Sequence, residues 1–257
     1  MLDAYSDDPS SVGNTMLTSD ELRDFLLELH EEKFDLNVHT IGDLAVRTTL
    51  DAVEAAKAAV DGDFYPRVSM VHLQVIDPAD LSRFAELGVS ANFTPWWHGV
   101  DLNDTTEPAL GEDRYANTYT AKPLFDSGAR VTFSSDDWSL PVLSPFLGMQ
   151  VAHNRQYPKE WVTEEGGDVS AFRPPETEKL DLELLVRGYT INGAHQFRME
   201  DQIGSIEAGK LADLVVLDEN LFDLDRHEIH KIKPAAVMME GELVHGDMGF
   251  EPDESAF

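Results

Sequence analysis

Apolar positions fall at helical spacing from the first hydrophobic stretch of the chain. Leu22, Phe25, Leu26 and Leu29 stand at i, i+3, i+4 and i+7, one face of an amphipathic helix. Thr18, with Glu21 three residues on, supplies a capping box that sets its start. Leu36 to His39 then reads as a short strand, closing in Thr40-Ile41-Gly42-Asp43. A second helix is predicted from about Asp43 to Val60, with Val46, Leu50 and Val53 on one side and the turn Asp61-Gly62-Asp63 as its stop. The alternation then recurs. A strand covers Arg67 to Leu73, and Asp77-Pro78 opens a helix carrying Leu81, Phe84 and Leu87. A third strand, Val89 to Thr94, runs into Pro95-Trp96-Trp97-His98 and a long polar loop. A short helix at Pro123 to Ser127 stops at Gly128, and a fourth strand, Ala129 to Ser135, delivers Asp136-Asp137-Trp138.

Four strand-then-helix units predict an α/β fold around a parallel sheet. Beyond them the pattern predicts a helix from Pro145 to His153 and an acidic loop from Tyr157 to Lys179. Another helix carries Leu182, Leu185, Val186 and Tyr189. The tail differs in kind: Leu211 to Leu217 and Ala236 to Val244 read as strands separated by turns. The expected organisation is a barrel portion over 1–200 and a β-rich C-terminal portion over 201–257.

Composition narrows the classes. With 257 residues, 42% of them hydrophobic, the chain can bury a sizeable core. No segment approaches the roughly 20 apolar residues of a membrane span, and no basic region precedes an apolar stretch as in a signal peptide. Cysteine is absent, which excludes disulfides and thiolate ligands. Soluble and cytoplasmic is the expectation. Forty-nine acidic residues against nineteen basic leave a formal charge of −30. Such a surface repels nucleic acid and anionic membranes. Its spread along the whole chain suits a halophilic protein in high salt, where self-repulsion is screened; an ordinary acidic surface is the plainer alternative.

Candidate chemistry gathers at strand ends. His39 and His72 each close a predicted strand, 33 residues apart, and Asp136 follows the fourth strand 64 residues later. A βα unit takes about 30 or more residues, so the three recur at one place in the fold, the C-terminal mouth of a parallel barrel where active sites sit. Two imidazoles and a carboxylate suit Zn²⁺ or a similar divalent ion. Taken singly, each has a structural use: a histidine bonded to its neighbours, an aspartate capping a helix. Trp96, Trp97 and His98 are candidates to line a substrate pocket. Arg114 and Tyr119, in the long loop, are candidates to orient a substrate carbonyl or carboxylate.

The runs His39-Thr40-Ile41-Gly42-Asp43, His72-Leu73-Gln74 and Ser134-Ser135-Asp136 resemble consecutive strand-end motifs of the amidohydrolase superfamily. They look most like amidohydrolase family 3, the group with the N-substituted formamide deformylases. Thr190 to Ala194 resembles a helix motif of that family, and Ile203 to Asp218 its C-terminal β-domain signature. The resemblance implies the C-terminal half of a (β/α)₈ barrel plus part of a small β-sandwich. It also implies a divalent metal, zinc by preference, as one ion or two. His39, His72 and Asp136 would be ligands, His72 and Asp136 catalytic as well. The implied reaction is hydrolysis of a non-peptide C–N bond in a small-molecule substrate, with metal-bound hydroxide attacking and Asp136 moving the proton.

The departures are as informative. A full member carries His-x-His on its first barrel strand, and no His-x-His occurs here; His227-Glu228-Ile229-His230 is the nearest pattern. Four units stand where a barrel needs eight. A half-barrel of this kind exposes its sheet edges and an inner face expected to be apolar, to be completed by self-association or by an N-terminal half. The alternative function is a non-catalytic remnant that folds and associates without turnover.

Overall fold

The computed structural model describes residues 1–100, 105–136 and 143–247; Asp137 and Trp138 lie outside them. Helix α1 (Ser19–Glu32) starts where the capping box puts it. Glu21 N–H donates to the Thr18 hydroxyl at 3.3 Å, and the Glu21 carboxylate accepts from Thr18 N–H at 2.8 Å. Leu22 and Leu26 are buried, whereas Phe25 of the same predicted stripe is 42% exposed. Strand β1 (Leu36–Thr40) and helix α2 (Asp43–Ala59) follow. Next come β2 (Val68–His72) and α3 (Leu81–Leu87), the helix stopped by Gly88 at φ 68°. Only glycine adopts such a left-handed backbone without cost.

Strand β3 (Ser90–Phe93) leads into the segment expected to be a polar loop. It holds two short helices, α4 (Thr106–Leu110) and α5 (Glu112–Tyr115). At five and four residues they are too short to show a period in the sequence. Helix α6 (Lys122–Asp126) and β4 (Arg130–Phe133) complete the repeat. The four strands form one parallel sheet in the order β1-β2-β3-β4, with β1 and β4 at its edges.

Register separates the two faces. Val38, Met70, Ala91 and Val131 share the face that packs on the helices, with Phe93 and Phe133 beside them in the main core. The opposite face carries Asn37, Ser69 and Ser90 at one level and His39, Val71, Asn92 and Thr132 at the next. This inner face is polar, not apolar as the half-barrel argument expects. Its groups satisfy one another. The Asn92 amide donates to the Thr132 hydroxyl at 2.8 Å, Thr132 donates to the Gln196 side-chain oxygen at 2.7 Å, and Ser134 donates to Asn92 Oδ1 at 2.8 Å.

The remaining helices are α7 (Pro145–Asn154), α8 (Lys159–Glu164), α9 (Leu182–Tyr189) and α10 (Ile191–Gln196). Helix α8 stands inside the stretch expected to be an acidic loop. Residues 195–200 lie across the N-terminal strand ends: Arg67 pairs with Glu200 at 2.7 Å and Arg198 with Asp35 at 2.7 Å. The Arg67 contact holds the Glu200 carboxyl down to about 2. A separate antiparallel sheet joins β5 (Leu214–Leu217), β6 (Pro234–Met239) and β7 (Glu242–Gly246). The predicted single strand Ala236 to Val244 is in fact a hairpin. It turns at Glu240 and Gly241, whose φ values of 52° and 84° fit a tight turn with both central residues left-handed.

Candidate metal centre and its surroundings

His39 is the fourth residue of β1 and His72 the last of β2. Their spacing misleads by one residue, because the sheet register pairs His39 with Val71 and Thr40 with His72. Plain alternation therefore sends the two histidines to opposite faces. The backbone corrects this: His72 has φ 74° and Leu73 φ 52°, both left-handed. The turned His72 ring reaches back, and its Nε2 stands 2.9 Å from His39 Nδ1, with ring centroids 4.7 Å apart. One ring donates and the other accepts, so at least one nitrogen of the pair is protonated. Residues in left-handed strain at a strand end are a recognised mark of a functional site.

Asp136 lies three residues past the end of β4 and is also left-handed, at φ 68°. Its charge is felt at His72. Burial pushes the His72 pKa below the ordinary histidine value, Asp136 opposes that shift, and His39 adds to it. A neutral imidazole is the form that ligates a metal. The donor types fit a divalent ion. The two ring nitrogens facing each other at 2.9 Å, with the carboxylate near them, are the groups that would hold it. Among the described residues, however, no three His, Asp or Glu side chains already converge as a ligand group. Asp136 neighbours the pair without closing on it.

Two cavities flank these strand ends. A groove of about 720 Å³ includes His39, Gln74, Tyr5, Met16, Ile41 and Val75 in its wall, and runs along the open edge of β1. A smaller cavity of about 220 Å³ is walled by Trp96, Ser134, Ser135 and Tyr189 at the ends of β3 and β4.

Of the four residues read as substrate contacts, Trp97, His98, Arg114 and Tyr119, none is in the wall of either cavity. Trp97 is 37% exposed on the turn Pro95–His98. His98 is sealed: it stacks on Tyr119 at 5.1 Å and meets Phe93 edge-on at 5.6 Å, and neither ring nitrogen has a hydrogen-bond partner among the described residues. Burial, then the charges of Arg155 and Arg173, drive its pKa far below the usual value. Tyr119 is buried with φ 54°, its N–H bonded to Gln74 O at 2.9 Å. Arg114 is spent on the backbone. It donates to Leu110 O at 2.6 Å and Ala4 O at 2.9 Å, tying the N-terminal segment to α4.

Arg155 anchors the sealed region. Its guanidinium donates to the carbonyls of Arg173, Thr118 and Pro174 at 2.8 Å each and to that of Tyr119 at 3.2 Å. Burial pushes its pKa down to about 10, which leaves it charged at neutral pH. Sequence reasoning missed Arg155, and no pattern flags it. It also missed Tyr157 and Trp161, which both pack against Trp96; Tyr157 lies before α8, so helical spacing does not flag the pair.

The family model described as the amidohydrolase family matches residues 1–245. Protein LONG AFTER FAR-RED 3 of Arabidopsis thaliana is 28% identical over 85% of this chain and 36% of its own length. The N-substituted formamide deformylase of Arthrobacter pascens is 27% identical over 90% of this chain and 40% of its own length. This chain thus spans about two fifths of the curated relatives it matches. An uncharacterized metal-dependent hydrolase from Pyrococcus horikoshii superposes with a TM-score of 0.71 at 24% identity, over 87% of this chain and 42% of that one. From a family match covering nearly every residue, the chain belongs to the amidohydrolase family.

Proposed function

We propose that this chain is the C-terminal part of a metal-dependent hydrolase that cleaves a non-peptide C–N bond in a small molecule. The four parallel strands are half of a (β/α)₈ barrel, and β5 to β7 belong to a small β-sandwich. The observation that carries the reading is the facing of His39 Nδ1 and His72 Nε2 across 2.9 Å at adjacent strand ends, with the Asp136 charge acting on His72. Family membership and the metal-dependent hydrolase with the matching fold support it.

In this reading His39, His72 and Asp136 would hold a divalent ion, zinc first. When bound, the ion lowers the pKa of water and polarises a carbonyl. The chain's own groups supply the rest. His72, half-buried and neutral, orients the substrate carbonyl, and Asp136, exposed at the mouth, takes a proton from water and returns it to the leaving nitrogen. The apolar groove beside His39 admits the substrate.

A second reading has one observation in its favour. No three-ligand group is formed among the described residues, as suits a remnant that folds without turnover. Elemental analysis of the purified protein and of Asp136→Ala separates the two. Stoichiometric metal that is lost in the variant supports the hydrolase; no metal in either sinks it for this polypeptide.

The open edge of β1 and the groove along it support completion of the barrel, by a second copy or by a separately made N-terminal half. A stable monomer in light scattering rules out self-association. The charge of −30 supports a halophilic protein. If it unfolds no more readily in dilute buffer than in molar KCl, that part is wrong. Among the described residues no helix is long and apolar enough to cross a membrane.

A further inference from the structure

We infer that the chain carries a second small-molecule site, an aromatic cage for an alkylated ammonium group, formed by Trp96, Tyr157 and Trp161 with Glu165 and Asp168. These residues line a cavity of about 170 Å³. None is a candidate metal ligand, so the site stands independently of the hydrolase reading.

The aromatic wall is built, not incidental. The Trp96 ring centroid lies 4.6 Å from that of Tyr157 and 5.8 Å from that of Trp161, with planes inclined at 46° and 55°. Rings tilted in this way form a concave surface rather than a stack. Gly99 makes it possible: a Cβ there would stand 2.9 Å from the Tyr157 ring, so only glycine lets the ring lie down beside Trp96. Tyr157 stands just before α8 and Trp161 in its first turn, and each packs against Trp96 in the wall of the cavity.

The acid rim is held in place as well. Gln156, itself buried, donates from its side-chain nitrogen to Val169 O at 2.7 Å and Ala171 O at 2.6 Å, pinning the loop that bears Asp168. Asp168 Oδ1 accepts from Ser170 N–H at 2.8 Å and from its hydroxyl at 2.6 Å, which favours the ionised form. Glu165 closes α8 beside it. Among the described residues no Lys or Arg lines the cavity.

Electron-rich ring faces and carboxylates around one apolar cavity match a cation with greasy substituents. A bare metal ion would find no compact oxygen shell on the ring faces, and a neutral ligand would gain nothing from the acids. The volume takes a trimethylammonium head and little more, well under the usual 300–1,000 Å³ of drug-sized pockets. Trp96 also walls the cavity at Ser134 and Ser135, so the two cavities share one side chain.

The test is tryptophan-fluorescence titration with choline and with 3,3-dimethyl-1-butanol, its uncharged carbon counterpart, at ionic strength held constant with NaCl. Choline is expected to saturate in the millimolar range, with the alcohol roughly tenfold weaker. Trp161→Ala should weaken choline binding by about tenfold. The milder Glu165→Gln should weaken it by about threefold and serves if Trp161→Ala fails to fold. Equal binding of choline and the alcohol would overturn the proposal, as would wild-type affinity in both variants. Binding to phosphatidylcholine vesicles without binding of free choline would overturn it too, by assigning the surface to lipid.

Discussion

Two histidines follow adjacent parallel strands in this molecule and meet opposite fates. His72, at the end of β2, keeps a partner at 2.9 Å, a carboxylate within electrostatic reach and an opening to solvent. His98, five residues past the end of β3, is walled in by Phe93 and Tyr119 beside two guanidinium groups. Burial lowers the pKa of both, but only His72 has an opposing negative charge. The difference teaches that a strand-end position does not make a histidine chemical. The neighbouring charge and the access decide, and at β3 the chain has used the position for packing.

The largest effect that could break this comparison comes from Arg155, the anchor of the sealed side. Arg155→Ala strands four backbone carbonyls and removes one of the two positive charges that act on Glu178, whose pKa burial already raises. Urea unfolding should show a loss of about 4 kcal/mol; a loss near zero would mean the region is not a sealed core. On the open side, His72→Ala should lower divalent-metal affinity by at least about 100-fold, since even outer-shell changes cost 10- to 100-fold. Zinc should then raise the Tm of wild type but not of the variant.

A pH test sharpens the contrast further. The folded pKa of His98 is depressed, so below pH ~6.5 the unfolded chain binds a proton that the folded chain refuses. Stability from this group is complete above that pH and falls by about 1.4 kcal/mol per unit as pH drops through it. His98→Phe should flatten that slope while changing stability little at pH 8, as its ring nitrogens bond to nothing described. A wild-type slope in the variant would contradict the burial account. The smallest effect belongs to His39→Ala: an exposed ring whose removal should move stability by no more than about 0.5 kcal/mol.

Much of this was legible in the sequence, for physical reasons that can be named. The capping box at Thr18, the strand at Leu36 and the four-fold recurrence all express periods long enough to read. The His39–His72 pairing was legible through spacing, although by an argument one residue out of phase that a left-handed backbone repairs. Helices α4, α5 and α8, of four to six residues, were hidden because no period fits in so few positions. The polar inner face was hidden because it depends on register across strands: Asn92, Thr132 and Gln196 are far apart in the chain and bond to one another, and Asn92 to Ser134, only in the fold. The burial of His98 was hidden for the same reason, since Tyr119 and Arg155 come to it from other loops.

The left-handed turn at His72 also shapes what mutation can do there. Glycine and asparagine accept φ 74°, whereas valine and isoleucine pay at the backbone before their chemistry is asked about. In a saturation library scored for folding alone, position 72 should rank Gly and Asn above Val and Ile. Scored for metal retention, the same library should keep histidine and reject the well-folded glycine. Shape and chemistry at this one residue are therefore separable by selection, and drift toward a branched side chain meets two barriers where most strand ends present one.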